Sequence, residues 1–113
     1  IYNRLDKGMA LQMDSVVSYI LQEDKVNLTY ADIAVESDYN PYKNTGLPPG
    51  PICSPGINAI KAAISPAKTD YLYFVVSEKL DGSAAFSNDY NQFLKDKEAY
   101  YKAYQKAESE KEN

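Results

Sequence analysis

The chain has 113 residues, 44% of them hydrophobic, and a net charge of −4 without a basic stripe. That suits one modest domain or a piece of a larger one, and it argues against nucleic acid as the main partner. With no histidine and a single cysteine, Cys53, the chain excludes imidazole chemistry, an intramolecular disulfide and most zinc sites, and no metal site is expected.

Residues 1–7 read as the last turns of a helix, stopped near Gly8 as a C-terminal cap requires. With no initiator Met and no apolar run long enough to cross a membrane, the chain reads as an excised piece of a longer protein. Residues 9–13 form a short, strand-like connector. Asp14 is placed as the N-cap of a helix whose Val16, Val17, Ile20 and Leu21 gather on one face. A short helix begins at Thr29, with Asp32 three residues on in a capping-box pattern.

Residues 38–53 form a long restricted loop. Its second part, Gly46-Leu47-Pro48-Pro49-Gly50-Pro51-Ile52, leads directly into Cys53-Ser54-Pro55-Gly56, and seven of these eleven residues are Pro or Gly. Proline fixes φ and lacks an N–H, and glycine admits backbone conformations other residues avoid, so this segment can join neither a helix nor the middle of a sheet. It is either a stiff connector or a rigid binding surface.

Ser54 is expected to cap the next helix with Pro55 at its first position, and Ile57, Ile60 and Ile64 give that helix an apolar stripe ending at Ser65-Pro66. Residues 70–76 read as a buried strand, Leu80-Asp81-Gly82-Ser83 as a turn, and residues 84–87 as the pairing strand of a hairpin. Tyr90, Phe93, Leu94, Tyr101 and Tyr104 have helical spacing, predicting a helix over 88–107 and a polar, frayed tail over 108–113. This order predicts an α+β fold: short helices and a rigid Pro/Gly loop around a small hairpin, closed by a C-terminal helix.

The chain has no histidine base, nucleophile elbow or phosphate-binding glycine–lysine loop. Asp14 reads as a helix cap, and Glu36 and Asp38 as solvated loop charges. Glu98, Glu108, Glu110 and Glu112 alternate with Lys97, Lys102, Lys106 and Lys111 as the solvated face of the last helix. Tyr39, Asn40, Tyr42 and Asn44 precede the Gly46 block. Tyrosine stacks on sugar faces and asparagine hydrogen-bonds hydroxyls in both directions, so the set suits a carbohydrate. It equally suits turn formation and core filling.

Taken in order, Tyr2-Asn3-Arg4-Leu5, Gly8-Met9, Leu11-Gln12 with Asp14, Tyr39-Asn40 with Tyr42, residues 46–52, Pro55-Gly56 and residues 66–75 resemble the catalytic domain of endolytic murein transglycosylases of the MltG (YceG-like) family. The resemblance runs from Ile1 to about Phe86. It implies a partial transglycosylase domain over 1–87 and a C-terminal helix and tail over 88–113. It also implies cleavage of peptidoglycan glycan strands to leave 1,6-anhydro ends, with no cofactor, by a parent protein anchored at the extracytoplasmic face of the bacterial membrane by a segment absent from this chain. Cell-wall synthesis proteins are possible partners of that parent.

The family's catalytic Glu lies just before the Tyr-Asn-Arg-Leu segment, so no catalytic residue is expected here. Substrate contact is carried over to Gln12, Asp14, Asn40 and Tyr42, with Gly46 and Pro49 shaping the groove. Ala84 and Phe93 stand where many relatives have His, and Ser15 and Pro41 replace the usual Pro and Thr. Substituting Asn40 or Gln12 by Ala is expected to reduce turnover more than stability. A non-catalytic glycan-binding or scaffold module is the alternative, and the older aminodeoxychorismate lyase label, a pyridoxal-phosphate activity, is a weaker one.

Overall fold

The computed structural model describes residues 1–23 and 27–111, and the chain divides into two compact units, Ile1–Lys68 and Thr69–Asn113. In the first unit, helix α1 (Tyr2–Asp6) ends as its sequence requires. Gly8 takes φ +68°, its N–H donates to the Leu5 carbonyl at 3.2 Å, and the Met9 N–H reaches the Arg4 carbonyl at 2.9 Å. These two bonds satisfy carbonyls that a helix end otherwise leaves open. Residues 9–13 then run without helix or ladder into α2 (Asp14–Leu21).

The N-cap of α2 is Met13, and Asp14 is its first helical residue, so the expected capping role of Asp14 is not the one it plays. The apolar face of α2 supplies the core: Val16 and Val17 are buried, together with Leu11 from the preceding connector. Full burial of one such valine contributes roughly 2 kcal/mol. Helix α3 (Tyr30–Ile33) carries the predicted capping box: the Asp32 N–H donates to Thr29 Oγ1 at 3.1 Å and the Thr29 N–H to Asp32 Oδ2 at 2.9 Å.

Helix α4 (Ile57–Ile64) starts later than its sequence suggests. The Gly56 carbonyl accepts the first bond, from the Ile60 N–H at 3.1 Å, which makes Gly56 the N-cap and leaves Ser54 and Pro55 outside the helix. Its stripe of Ile57, Ile60 and Ile64 is exposed rather than core. One carbonyl of its last turn, that of Ala63, accepts the Tyr2 hydroxyl at 2.7 Å.

The second unit is a hairpin and a long helix. Strands β1 (Tyr73–Val76) and β2 (Ala84–Ser87) pair antiparallel, with Tyr73 opposite Ser87 and Phe74 opposite Phe86. Only alternate residues of β1 are covered. Tyr73 and Val75 are half-buried, while Phe74 and Val76 are exposed, so the expected fully buried strand over 70–76 is shorter and one-sided. The predicted turn forms through left-handed Leu80 and Gly82, with φ +55° and +84°.

Asp81 Oδ1 accepts both the Ser83 hydroxyl and the Ser83 N–H, and these two bonds hold its carboxyl below the usual aspartate range. Helix α5 (Tyr90–Lys111) covers the Tyr73 side of the hairpin, with the Tyr73 ring 5.7 Å from Tyr90 and 5.5 Å from Phe93. Its outer face carries the predicted charge pairs, Glu98–Lys102 at 3.0 Å and Glu108–Lys111 at 3.1 Å, each worth a few tenths of a kcal/mol at most. The helix outruns its expected end at 107. Residues 112–113 of the expected tail, Glu112 among them, lie outside the described residues. The fold is α+β, as the element order predicts.

Candidate functional site

The first unit gathers four of the sequence-nominated residues from two separate segments. Gln12 lies on the connector before α2, and its N–H donates to the Pro41 carbonyl at 3.2 Å. Two residues on, the Asp14 carboxylate accepts the Tyr42 hydroxyl at 2.5 Å. One backbone bond and one side-chain bond thus clasp residues 12–14 to residues 40–42. Gln12 takes φ +50°, a left-handed conformation that costs a non-glycine residue roughly 1 kcal/mol and persists only where its surroundings hold it. Its side chain is exposed, as is that of Asp14, while Tyr42 is half-buried.

Arg4 holds the Gln12 side of the clasp. The chain reversal at Gly8 brings residues 10–11 back past α1, where the Arg4 guanidinium donates to the Ala10 carbonyl at 2.7 Å and the Leu11 carbonyl at 3.2 Å. A charged donor makes these stronger than ordinary backbone bonds. Asn40 holds the other side. It is fully buried, and its amide nitrogen donates to the Ile33 and Val35 carbonyls at 2.9 and 2.8 Å while its Oδ1 accepts the Tyr42 N–H at 2.9 Å. Asn44 continues the brace, donating to the Ser37 and Asn40 carbonyls at 3.1 Å each. Both asparagines are therefore turn-formers, the second of the two uses that their sequence context allows.

Tyr39 is half-buried between α2 and the Pro/Gly loop. Its ring lies 5.6 Å from that of Tyr19, and its hydroxyl points at Gly50. Gly46 takes φ +83°, which glycine adopts without strain, and Pro49 is exposed. These two loop residues lie four and seven positions beyond Tyr42, and Tyr39 at Gly50 ties their loop to α2. Sequence reasoning quoted Arg4 and Gly50 within motifs without giving them a role. For Arg4 a signal was available: an arginine one turn before a helix-ending glycine faces whatever follows the reversal.

A surface with a carboxylate, a phenol and a primary amide at 12, 14 and 42 offers acceptors and donors suited to sugar hydroxyls. The described carboxylates of this unit lie in solvent-facing or capping positions. Asp6, Asp14, Glu23, Glu36 and Asp38 are all exposed, and Asp32 is engaged in its capping box. None occupies the partly apolar cleft that a carboxylic general acid requires. Among the described residues, no three His, Cys, Asp or Glu side chains cluster as a metal site, and no helix is long and apolar enough to cross a membrane.

The YceG-like family model matches residues 1–99. The chain belongs to the YceG-like family. It is 46% identical over 99 residues to an endolytic murein transglycosylase of Bacillus subtilis, a match covering 88% of this chain and 27% of that protein. A second relative, the endolytic murein transglycosylase of Streptococcus pneumoniae strain D39, is 38% identical over 93 residues, covering 78% of this chain and 17% of that protein. Among solved structures, a yceG-like protein from Listeria monocytogenes superposes with a TM-score of 0.75 at 48% identity, covering 83% of this chain and 30% of the other. This YceG-like chain thus spans between about a sixth and a third of the length of the relatives it matches.

Proposed function

We propose that this chain is the groove-forming part of an endolytic murein transglycosylase and holds a peptidoglycan glycan strand against Gln12, Asp14 and Tyr42, with Gly46 and Pro49 on the neighbouring loop wall. Residues 1–87 supply the transglycosylase portion, and residues 88–113 supply the closing helix and its tail. The observation that carries this reading is the clasp. Residues that the family resemblance nominates in two separate segments of the sequence are brought together by the Gln12–Pro41 and Tyr42–Asp14 bonds. Asn40 enters the proposal in a different role from the one its sequence suggests. Its buried amide places Tyr42 instead of touching sugar itself.

In the parent enzyme, a glutamic acid from a segment outside this chain protonates the glycosidic oxygen. The same group then takes the proton from the sugar's own 6-hydroxyl as that oxygen attacks, closing the 1,6-anhydro ring. The groove's contribution is to hold the strand so that the 6-hydroxyl meets the anomeric carbon, since positioning alone can supply several kcal/mol of the barrier. The parent acts at the extracytoplasmic face of the bacterial membrane, held by an anchor outside this chain and working beside cell-wall synthesis proteins. The names of the relatives support transglycosylation and give no support to the lyase reading.

The test compares this chain with its full-length parent on purified peptidoglycan. The parent releases anhydro-muropeptides, while the 113-residue chain binds glycan strands and releases none. Release by the chain alone would contradict the assignment of the acid to another segment. Failure of the chain to bind glycan would contradict the groove.

A further inference from the structure

Three of the five glycines, Gly8, Gly46 and Gly82, sit at positive φ, where glycine is favoured for its backbone freedom. Gly50 does not, and its backbone would accept an ordinary L-residue. What a side chain there would meet is a neighbour. A Cβ on residue 50 would stand 2.6 Å from the Tyr39 hydroxyl oxygen and 3.8 Å from the ring carbon that bears it. The first distance is a collision and the second an ordinary contact.

Tyr39 has little room to yield. Its ring lies against Tyr19 of α2, with planes 34° apart, and its N–H donates to Ser37 Oγ at 3.1 Å. The next residue, Asn40, is locked by three hydrogen bonds in a fully buried position. Tyr39 is thus fixed at its base by the Asn40 brace and along its ring by α2, and its tip meets the loop backbone at Gly50, which has no side chain to obstruct it.

We propose that Tyr39 is a positioning residue, a strut that sets the height of the Pro/Gly loop over α2, and that Gly50 is the seat its hydroxyl requires. This inference rests on reading the loop as a wall of the glycan groove. It assigns to Tyr39 a role other than sugar stacking: the ring holds the wall, and the strand is held by the residues beyond it.

The test uses four versions of the 113-residue chain: wild type, Tyr39→Phe, Gly50→Ala and the double variant. Each is read twice, by the amide chemical shifts of residues 46–52 without ligand and by affinity for soluble peptidoglycan glycan strands. Gly50→Ala is expected to move the loop amides and weaken glycan binding on the order of tenfold. Tyr39→Phe takes the tip off the strut and should also move the loop amides and weaken glycan binding, by a smaller factor of about threefold. The double variant should return to the loop shifts and affinity of Tyr39→Phe, a rescue of Gly50→Ala that general destabilisation does not produce. Wild-type loop shifts in Gly50→Ala or in Tyr39→Phe, or a double variant no better than Gly50→Ala, would overturn the strut. If wild type binds no glycan, the groove reading fails, and the ligand-free shifts still decide the strut by the presence or absence of rescue.

Discussion

The two units of this chain are held together by different physics. In Ile1–Lys68, residues 34–56 contain no helix or strand, and the structure depends on individual polar side chains: Arg4 on two carbonyls, Asn40 on three backbone groups, Asn44 on two more. In Thr69–Asn113, regular hydrogen bonding satisfies most of the backbone, and apolar ring contacts join hairpin to helix. Ring packing tolerates a change of residue if size is kept, whereas a buried amide bonded to three backbone groups has no isosteric substitute. The lesson is where specificity resides. The unit with the long irregular segment is the one that depends on residues without a substitute, and it holds the candidate site.

The sharpest way to break this comparison is Asn40→Ala. It would remove the bonds to the Ile33 and Val35 carbonyls and to the Tyr42 N–H, at an expected cost of about 3 kcal/mol, read by urea unfolding with probes in residues 1–68. A loss under about 1 kcal/mol would show that the polar brace is not what holds this unit. Gln12→Ala offers the contrast. Its side chain is exposed and its left-handed backbone is retained, so unfolding should change by less than about 0.5 kcal/mol while turnover of the full-length parent falls. The sequence groups these two substitutions as alike, and the structure separates them.

In the second unit, Phe93→Ala removes a half-buried ring stacked on Tyr73, with an expected loss of about 2 kcal/mol. Phe93→Leu should recover most of that loss in the same unfolding measurement, and no recovery would mean that this unit also depends on one irreplaceable group. The smallest effect belongs to Asp81. Because its carboxyl is held below the usual aspartate range, it stabilises the folded turn above that range, and the contribution disappears as pH falls through the depressed value. Asp81→Asn should flatten this part of the acid limb of the stability curve, a change visible in thermal melts taken between about pH 2 and pH 5.

Much of the fold is legible in the sequence because its signals are local. The Thr29–Asp32 capping box, the Gly8 stop, the Asp-Gly turn at 81–82 and the spacing of Tyr90, Phe93 and Leu94 act within a few residues. Local rules also mislead where two candidates compete. Ser54-Pro55 has a favoured capping pattern, yet the N-cap falls two residues later, at Gly56, and Asp14 is claimed by Tyr42 instead of serving as the cap.

The residues proposed for the site can be named from the sequence, but their arrangement cannot. The Asp14–Tyr42 bond spans 28 positions, and no spacing rule reports it. Burial divides Asn40 from Gln12, and the collision at Gly50 exists only once Tyr39 is in place. The stripe of Ile57, Ile60 and Ile64 is as regular as that of α2 and yet is exposed, because periodicity marks an apolar face without naming what covers it.

The most direct test of the groove is an NMR titration of the 113-residue chain with soluble peptidoglycan glycan strands, repeated with Tyr42→Phe. The account predicts saturable amide shifts at residues 12–14, at Tyr42 and across 46–52, weakened on the order of tenfold when the hydroxyl that reaches Asp14 is removed. No shifts in residues 1–68, or shifts confined to the exposed rings of Tyr71, Phe74 and Phe86, would contradict it.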